Sequence, residues 1–509
     1  MNRASLHLAV VGGGITGLAA AWELERSSSG IQVTVLEESA RLGGWIRTDR
    51  WGEVLIEHGP DSWVASKRSA TEFACSLGLA AELVGLRASP AGAGIVSGGR
   101  LVPLPDGLSL LVPTRLRPLF TSPLLSPWGK LRLLGDLFLP PRANDEDESI
   151  GAFVRRRFGR EFFERIAEPL LAGIYAGDAE RLSVLATYPQ LREWERQAGS
   201  VLRGVLRAAG SRVAAAAVSS PAAKSWRSAP QAATDGFEAA RETPNTSAGD
   251  CSNSVDVPQS PFLSLRGGME RLVAGASQSL RCTTVRLGTA VRGLRATGTG
   301  FTLELSTGDE LAVDGVILAV PAWRAAELVA ALDRQAAMLL EGILYASSAA
   351  VTLIYARAAL DAVARGRGFL VPACEGRAIS AVTWVTNKFE GRAPKELGVA
   401  RVFFRERANR ATTDAVPETL VAVALHELQV LTGLRAEPLH AVVSKHERAL
   451  PQYLVGHRSR VAEVRRRLAT WPGLALAGAA YDGVGIPDCI ASGQRAARAV
   501  LAAVGAGRR

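Results

Sequence analysis

Three glycines near the amino end of this 509-residue chain, Gly12, Gly14 and Gly17, have the spacing Gly-x-Gly-x-x-Gly, and an acidic residue, Glu37, follows roughly 20 positions later. Those residue types at that spacing could hold a dinucleotide. Gly12 permits a tight turn, Gly14 lets the backbone approach a pyrophosphate because it has no Cβ, and Gly17 lets a helix pack closely on a strand. Gly13, Ile15 and Thr16 complete the turn, and the helix it opens would face the phosphates with unpaired N–H groups and the positive end of its dipole. Glu37 is placed to accept both ribose hydroxyls. The elements that must position these groups are legible on either side. Leu6–Val11 is apolar and partly β-branched, as a buried strand is; Leu18, Ala21, Trp22 and Glu25 recur at helical spacing; Ile31–Leu36 is a second strand ending at Glu37. A lone glycine triplet is a weak signal, whereas strand, helix, second strand and terminal carboxylate together specify a βαβ unit.

Further along, Arg41, Leu42, Gly43, Gly44 and Trp45 are followed by Glu57, His58, Gly59, Pro60, Asp61 and Ser62. A second glycine pair just past the ribose carboxylate resembles the extended fingerprint of flavoproteins and favours FAD over NAD. At the far end, residues 474–477 read as a short strand leading into Gly478, Ala479, Ala480, Tyr481, Val484, Gly485 and Ile486, with Asp488 expected to cap a helix from Cys489. In flavoproteins of this build such a helix start lies against the flavin pyrimidine edge, where its dipole stabilises negative charge on the reduced ring.

Several separated stretches together resemble the FAD-dependent protoporphyrinogen and coproporphyrinogen oxidases of haem and chlorophyll synthesis, and they span nearly the whole chain. They are the amino-terminal fingerprint, EPLLAGIYAGD at 168–178 followed by Leu182 and Ser183, SLRGGM at 264–269, GFLVP at 368–372, PQYLVGH at 451–457, and residues 478–493. The first of these internal runs, with Thr383, Trp384 and Lys388, is most similar to the bacterial branch, which often takes coproporphyrinogen. Where many relatives have a strand ending in a glycine-rich turn, residues 399–407 here read VARVFFRER, a departure at the substrate chamber wall.

The resemblance implies an α/β fold: a Rossmann-like FAD-binding domain of the glutathione reductase and amine oxidase type, a mixed-sheet substrate domain and a helical membrane-facing domain. The corresponding spans are 1–90, 262–320 and 472–509 for the FAD-binding domain, 91–207 for the helical domain and 321–471 for the substrate sheet. It also implies six-electron dehydrogenation of a porphyrinogen by hydride transfer from a methylene bridge to flavin N5, with three rounds of reoxidation by molecular oxygen and hydrogen peroxide as product. Gly173 matches the glycine whose carbonyl steers the reacting bridge, Leu370 belongs to a hydrophobic clamp on the macrocycle, and Arg87, followed by Arg100, is the cation placed for propionate. Val291 completes the expected cofactor contacts.

Net charge is +10, from 59 basic against 49 acidic residues, which suggests anionic partners. Dispersal of the basic residues and the lack of a recognition motif argue against nucleic acid and for a lipid surface or an acidic small substrate. Five scattered cysteines without a Cys-x-x-Cys pair and six histidines without ligand spacing indicate neither a disulfide framework nor a metal site, and a reducing compartment. The first residues lack the pattern of a signal peptide and no apolar stretch is long enough to span a bilayer, so a cytoplasmic protein is expected, with membrane contact, if any, peripheral. Residues 101–141, leucine-rich with Arg115, Arg117, Lys130 and Arg132, offer one such surface, though burial explains the leucines equally well; a homodimer is also open. Ile150, Phe153, Val154, Phe158, Phe162, Ile166 and Leu170 have helical spacing behind Ser149 and read as core. Residues 208–261, rich in alanine, serine, proline and threonine, read as a mobile insertion. Two rival readings stay open: an amine oxidase or phytoene desaturase-like enzyme, against which only Tyr481 stands where an aromatic cage is usual, and a non-catalytic flavoprotein that carries tetrapyrrole.

Overall fold

The computed structural model describes residues 6–27, 30–88, 92–105, 107–109, 111–113, 116–208, 257–298, 300–405 and 414–507. Most of the expected insertion, residues 209–256, lies outside them, as does Arg115.

The βαβ unit forms as its periodicity dictates. Leu6–Val11 pairs in parallel with Ile31–Leu36 on one side and Gly315–Leu318 on the other, and Thr283–Arg286 and Leu474–Leu476 extend the sheet to five parallel strands. Both faces of this sheet are covered at its centre, which is why Leu6–Val11, Ile31–Leu36 and Gly315–Leu318 are mostly apolar and buried. The helix Ile15–Ser27 lies against the terminal helix Ile486–Gly507, and a Cβ on Gly493 would overlap the Thr16 carbonyl oxygen, so glycine there sets how closely the two approach.

A second, seven-stranded sheet has the order His440–Pro451, Tyr345–Ala356, Leu397–Phe404, Ile379–Trp384, Gly368–Leu370, Ala93–Ser97, Arg100–Pro103. All its pairings are antiparallel except that of Gly368–Leu370 with Ala93–Ser97. The span expected to be helical from residue 91 therefore opens with two strands of the substrate sheet. One face of this sheet packs Val351, Leu353, Ala400 and Val402 against the helix Pro417–Thr432; the other sets Ile354 and Val399 against Val54 and Ile56 of the ribbon Thr48–Trp51 and Val54–Glu57.

Against the strands Gly368–Leu370 and Ile379–Trp384 of this second sheet packs a helical bundle. Ser149 accepts a hydrogen bond from the Ala152 N–H at 3.1 Å and starts Ile150–Phe158, but Gly159, at φ +94°, breaks the run. Arg160–Phe162, a wide π turn at Phe163–Ala167 and Glu168–Tyr175 follow, all contributing to one apolar core. The structure does not show a membrane-facing helical domain: no helix among the described residues is long and apolar enough to cross a bilayer.

Candidate active site

The glycine turn is built so that one face of it is kept open. Gly12 has φ +105° and would meet the Ala319 carbonyl if it carried a Cβ; a Cβ on Gly17 would overlap the Gly12 oxygen. Gly14 differs from both, because a Cβ there would have nothing within 4 Å. Gly44, at φ +56°, abuts it: Gly13 O accepts from the Gly43 N–H at 2.9 Å, and a Gly44 Cβ would lie 3.5 Å from the Gly14 Cα. Two glycine pairs thus line an open cradle at the N-terminus of the helix Ile15–Ser27, where Ile15 and Thr16 are buried and first-turn N–H groups lack intrahelical acceptors. A pyrophosphate fits that cradle by charge and by space.

Glu37 stands at the end of its strand, yet its carboxylate already has partners. Oε2 accepts from the Gly13 N–H at 2.6 Å, and Oε1 from Ser39 N at 2.9 Å and Ser39 Oγ at 2.7 Å. With about four lone-pair sites per carboxylate, Oε2 retains room for one ribose hydroxyl; a second requires Ser39 Oγ to turn away. The Arg41 guanidinium binds the carbonyls of Leu42, Gly44 and Ile46 and so braces the loop. Val291 is buried in the cofactor-side core, three residues past Gly288, whose N–H donates to Ser39 O at 2.9 Å.

From Gly44 the chain leads to Trp45, half exposed and packed edge-on to His446 at 5.1 Å, and a Cβ on Gly59 would overlap the Trp45 carbonyl. Residues 58–62 are held on several sides. Lys388 Nζ lies 2.9 Å from both Asp61 carboxylate oxygens, and Ser62 Oγ donates to Asp61 at 2.7 Å. Burial opposes ionisation of Asp61, but the Lys388 ammonium overcomes it and holds the carboxyl well below the usual carboxylate range. The SLRGGM run serves the same loop: Ser264 Oγ donates to Asp61 O at 2.6 Å, and the Met269 N–H to Glu57 Oε1 at 2.8 Å. Pro60 lies within this anchored loop.

At the carboxyl end the structure corrects the expected cap. The last helix begins at Ile486, so Asp488 sits inside its first turn, and its carboxylate binds Lys67 Nζ at 2.7 Å. Gly485 supplies the carbonyl for the Cys489 N–H at 2.9 Å, Gly478 takes φ +123° and donates its N–H to Ser492 Oγ, and Ala479 O accepts from Tyr453 Oη. Tyr481, the residue standing where a cage would be, is buried in the cofactor-side core.

Two expected residues from distant parts of the chain meet, and a third packs against the same core. Gly173 lies in the last turn of Glu168–Tyr175, and the atom nearest its missing side chain is Leu370 Cδ2 at 3.8 Å. Leu370 and Val484 both pack against the bundle core, as do Leu170 and Ile174 of the Gly173 helix. The Gly173 carbonyl is one of the four that a helix end cannot bond internally; Ala172 O takes the Ala176 N–H. Glu168, the acid of that helix, is paired with Arg405 and accepts the Ala373 N–H at 2.9 Å, which ties EPLLAGIYAGD to GFLVP. PQYLVGH closes the ring: Gln452 Nε2 donates to Tyr175 O at 2.9 Å while Tyr453 grips Ala479. Hydrogen bonds thus tie EPLLAGIYAGD to GFLVP, to PQYLVGH and, through Tyr453, to residues 478–493.

The profile described as flavin-containing amine oxidoreductase matches residues 15–501. The chain belongs to that family. The coproporphyrinogen III oxidase of Bacillus subtilis (strain 168) is 32% identical to this flavoprotein over 97% of the chain and 98% of the relative, and that of Propionibacterium freudenreichii is 35% identical over 97% and 90%. The human protoporphyrinogen oxidase is 30% identical over 97% and 98%. Among solved structures, a candidate protoporphyrinogen oxidase from Exiguobacterium sp. 255-15 superposes with a TM-score of 0.79 at 31% identity, covering 98% of this chain and 99% of that one. Putrescine oxidase, at 16% identity and a TM-score of 0.63, shares the fold. FAD is the cofactor, and the open face of Gly14 is where this chain has room for its pyrophosphate.

Arg87 and Arg401 have partners that the sequence did not reveal. Arg87 is exposed, but its Nη1 donates to Thr386 O at 3.0 Å and its own N–H to Lys388 O at 2.9 Å, so part of its fork already holds the segment carrying Lys388. Arg401, in the run noted only as a departure, reaches the Gly59 and His58 carbonyls at 2.7 and 2.6 Å. Its signal was an arginine inside an otherwise apolar strand, where charge is seldom buried without a task.

Proposed function

We propose that this flavoprotein oxidises a porphyrinogen, coproporphyrinogen III or protoporphyrinogen IX, to the porphyrin, with molecular oxygen as acceptor and hydrogen peroxide as co-product. The observation that carries this reading is the approach of Leu370 to Gly173 at an apolar wall, the bundle core against which Val484 also packs, in a chain whose relatives at 30–35% identity are named for those two substrates. Bound FAD supplies the hydride acceptor. The chain orients the macrocycle and excludes water. Leu370 and Val484 offer apolar contact, and the Gly173 carbonyl offers a hydrogen-bond acceptor at a helix end. The wall needs no strong acid or base, because oxidation gains conjugation as it proceeds, and Glu168 is occupied by Arg405. Arg87 and Arg100 are assigned to propionate recognition.

Anaerobic mixing with either porphyrinogen is expected to bleach the flavin absorbance and, on aeration, to release fluorescent porphyrin. Unchanged flavin absorbance with both substrates overturns the reading.

Peripheral membrane contact belongs to the same proposal. Ser126 caps the helix Pro127–Leu134, which presents Trp128 and Leu131 at 78% and 59% exposure, and Phe138 follows at 84%. Three large apolar side chains on one short surface, with Lys130 among them, suit an anionic lipid interface. Trp128→Ser with Phe138→Ser should reduce co-sedimentation with phosphatidylglycerol vesicles at least tenfold, since burying each such side chain contributes about 1.5–3 kcal/mol. Equal sedimentation of variant and parent removes this surface from the interface.

A further inference from the structure

The strand Leu397–Phe404 runs through the middle of the substrate sheet, and its register sorts its side chains. Val402 pairs with Val351 and Arg401 with Thr352, so Val402 faces the apolar core while Arg401 faces the opposite side. On that second face Ser348 pairs with His446 and Ala350 with Ser444, so Arg401, Ser444 and His446 form a polar stripe across three strands. The stripe meets residues 58–59. Arg401 donates from Nη1 to Gly59 O at 2.7 Å and from Nη2 to His58 O at 2.6 Å; His446 Nε2 bonds the same His58 O at 2.8 Å, and Ser444 Oγ bonds His58 Nδ1 at 2.9 Å.

Charge sets Arg401 apart from its neighbours. Of the nearby carboxylates, Glu57 is paired with Arg392 at 3.2 Å, Asp61 with Lys388 at 2.9 Å, and Asp49, further out, with Arg47 and His58. Arg401 is 5% exposed, makes no ion pair among the described residues, and leaves its Nε without a hydrogen-bond partner there. Glu57 and Asp61 against Arg392, Lys388 and Arg401 leave one buried positive charge in excess. A buried cation solvated by two peptide carbonyls and the Phe403 ring, 4.9 Å from the guanidinium, is costly, and a hydrophobic side chain of similar length would anchor the strand more cheaply. Burial lowers the Arg401 pKa, with Asp61 and Glu57 opposing, yet a guanidinium stays charged in proteins. Its field falls on the loop that follows Gly14, Gly44 and Trp45 along the cofactor path.

We propose that Arg401 is a positioning residue for the flavin: it fixes residues 58–59 by their carbonyls and imposes a positive potential that favours electrons on the bound ring, raising its midpoint potential. This rests on the flavin reading above.

The test uses the full-length holoprotein and its reduction potential. Arg401→Met and Arg401→Gln remove the charge at similar length, and whichever folds suffices. Each is expected to disfavour the reduced flavin about tenfold, a fall of about 30 mV for a two-electron couple. Arg401→Lys keeps the charge but not the two-pronged grip, so it should keep the parent potential while binding FAD more weakly. An uncharged variant with the parent potential overturns the proposal, as does a lysine variant that falls as far as the uncharged ones. A parent protein that takes up no FAD would instead overturn the flavin reading itself.

Discussion

Gly14→Val is expected to yield a folded protein that no longer holds FAD. A Cβ at Gly14 meets no atom within 4 Å and the residue is not in the left-handed region, so neither packing nor backbone conformation requires glycine there. What requires it is the group that enters the open space. A branched side chain would fill the cradle and separate the first-turn N–H groups from a pyrophosphate. The dissociation constant for FAD should rise at least 100-fold, about 2.7 kcal/mol, while the thermal midpoint of the apoprotein moves by no more than about 2 °C. Gly17→Val provides the contrast, because its Cβ would overlap the Gly12 carbonyl and the apoprotein itself should be destabilised. Titration of flavin fluorescence against both variants, beside their melting curves, separates the two roles. A Gly14→Val protein with parent affinity would place the cofactor elsewhere.

The second large effect is expected at Gly173. Glycine inside a helix costs about 1 kcal/mol relative to alanine, and here the nearest atom to a new Cβ is Leu370 Cδ2 at 3.8 Å, an ordinary contact. Local stability therefore favours a side chain, and the volume left free is best explained by the substrate. Gly173→Leu should leave FAD binding and dithionite reduction unchanged, hold or raise the thermal midpoint, and lower kcat/KM for the porphyrinogen at least 100-fold, about 2.7 kcal/mol of transition-state stabilisation. Gly173→Ala should lose far less. Retention of full kcat/KM by the leucine variant would move the reacting face away from the wall that Gly173 shares with Leu370.

These two glycines illustrate different kinds of legibility. Gly14 could be read from its neighbours in the chain, because an apolar strand, three glycines and a helical repeat lie within one short window and the chemistry is local to it. Gly173 could be read only through a family resemblance, since no periodicity marks it. Its partner Leu370 lies on a strand that pairs on one side with residues expected to be helical, Ala93–Ser97. Asp488 shows the limit from the other direction: an acid at a helix start is a cap by local rules, but a lysine from elsewhere, Lys67, binds it. Glu37 is intermediate, correctly placed at its strand end, but shared with Gly13 and Ser39 in a way no spacing reveals.

The amino-acid order by itself determined the dinucleotide unit, because hydrophobic period, glycine and turn chemistry act over a few residues, while the flavin and the set of motifs came from resemblance to a family. Tertiary structure alone decided which motif faces which, and with it the burial of Arg401 against the His58 and Gly59 carbonyls. The reason is strand register: which face a side chain takes, and what it meets there, depends on pairings between segments far apart in sequence, and a shift of one residue would turn Arg401 into the apolar core.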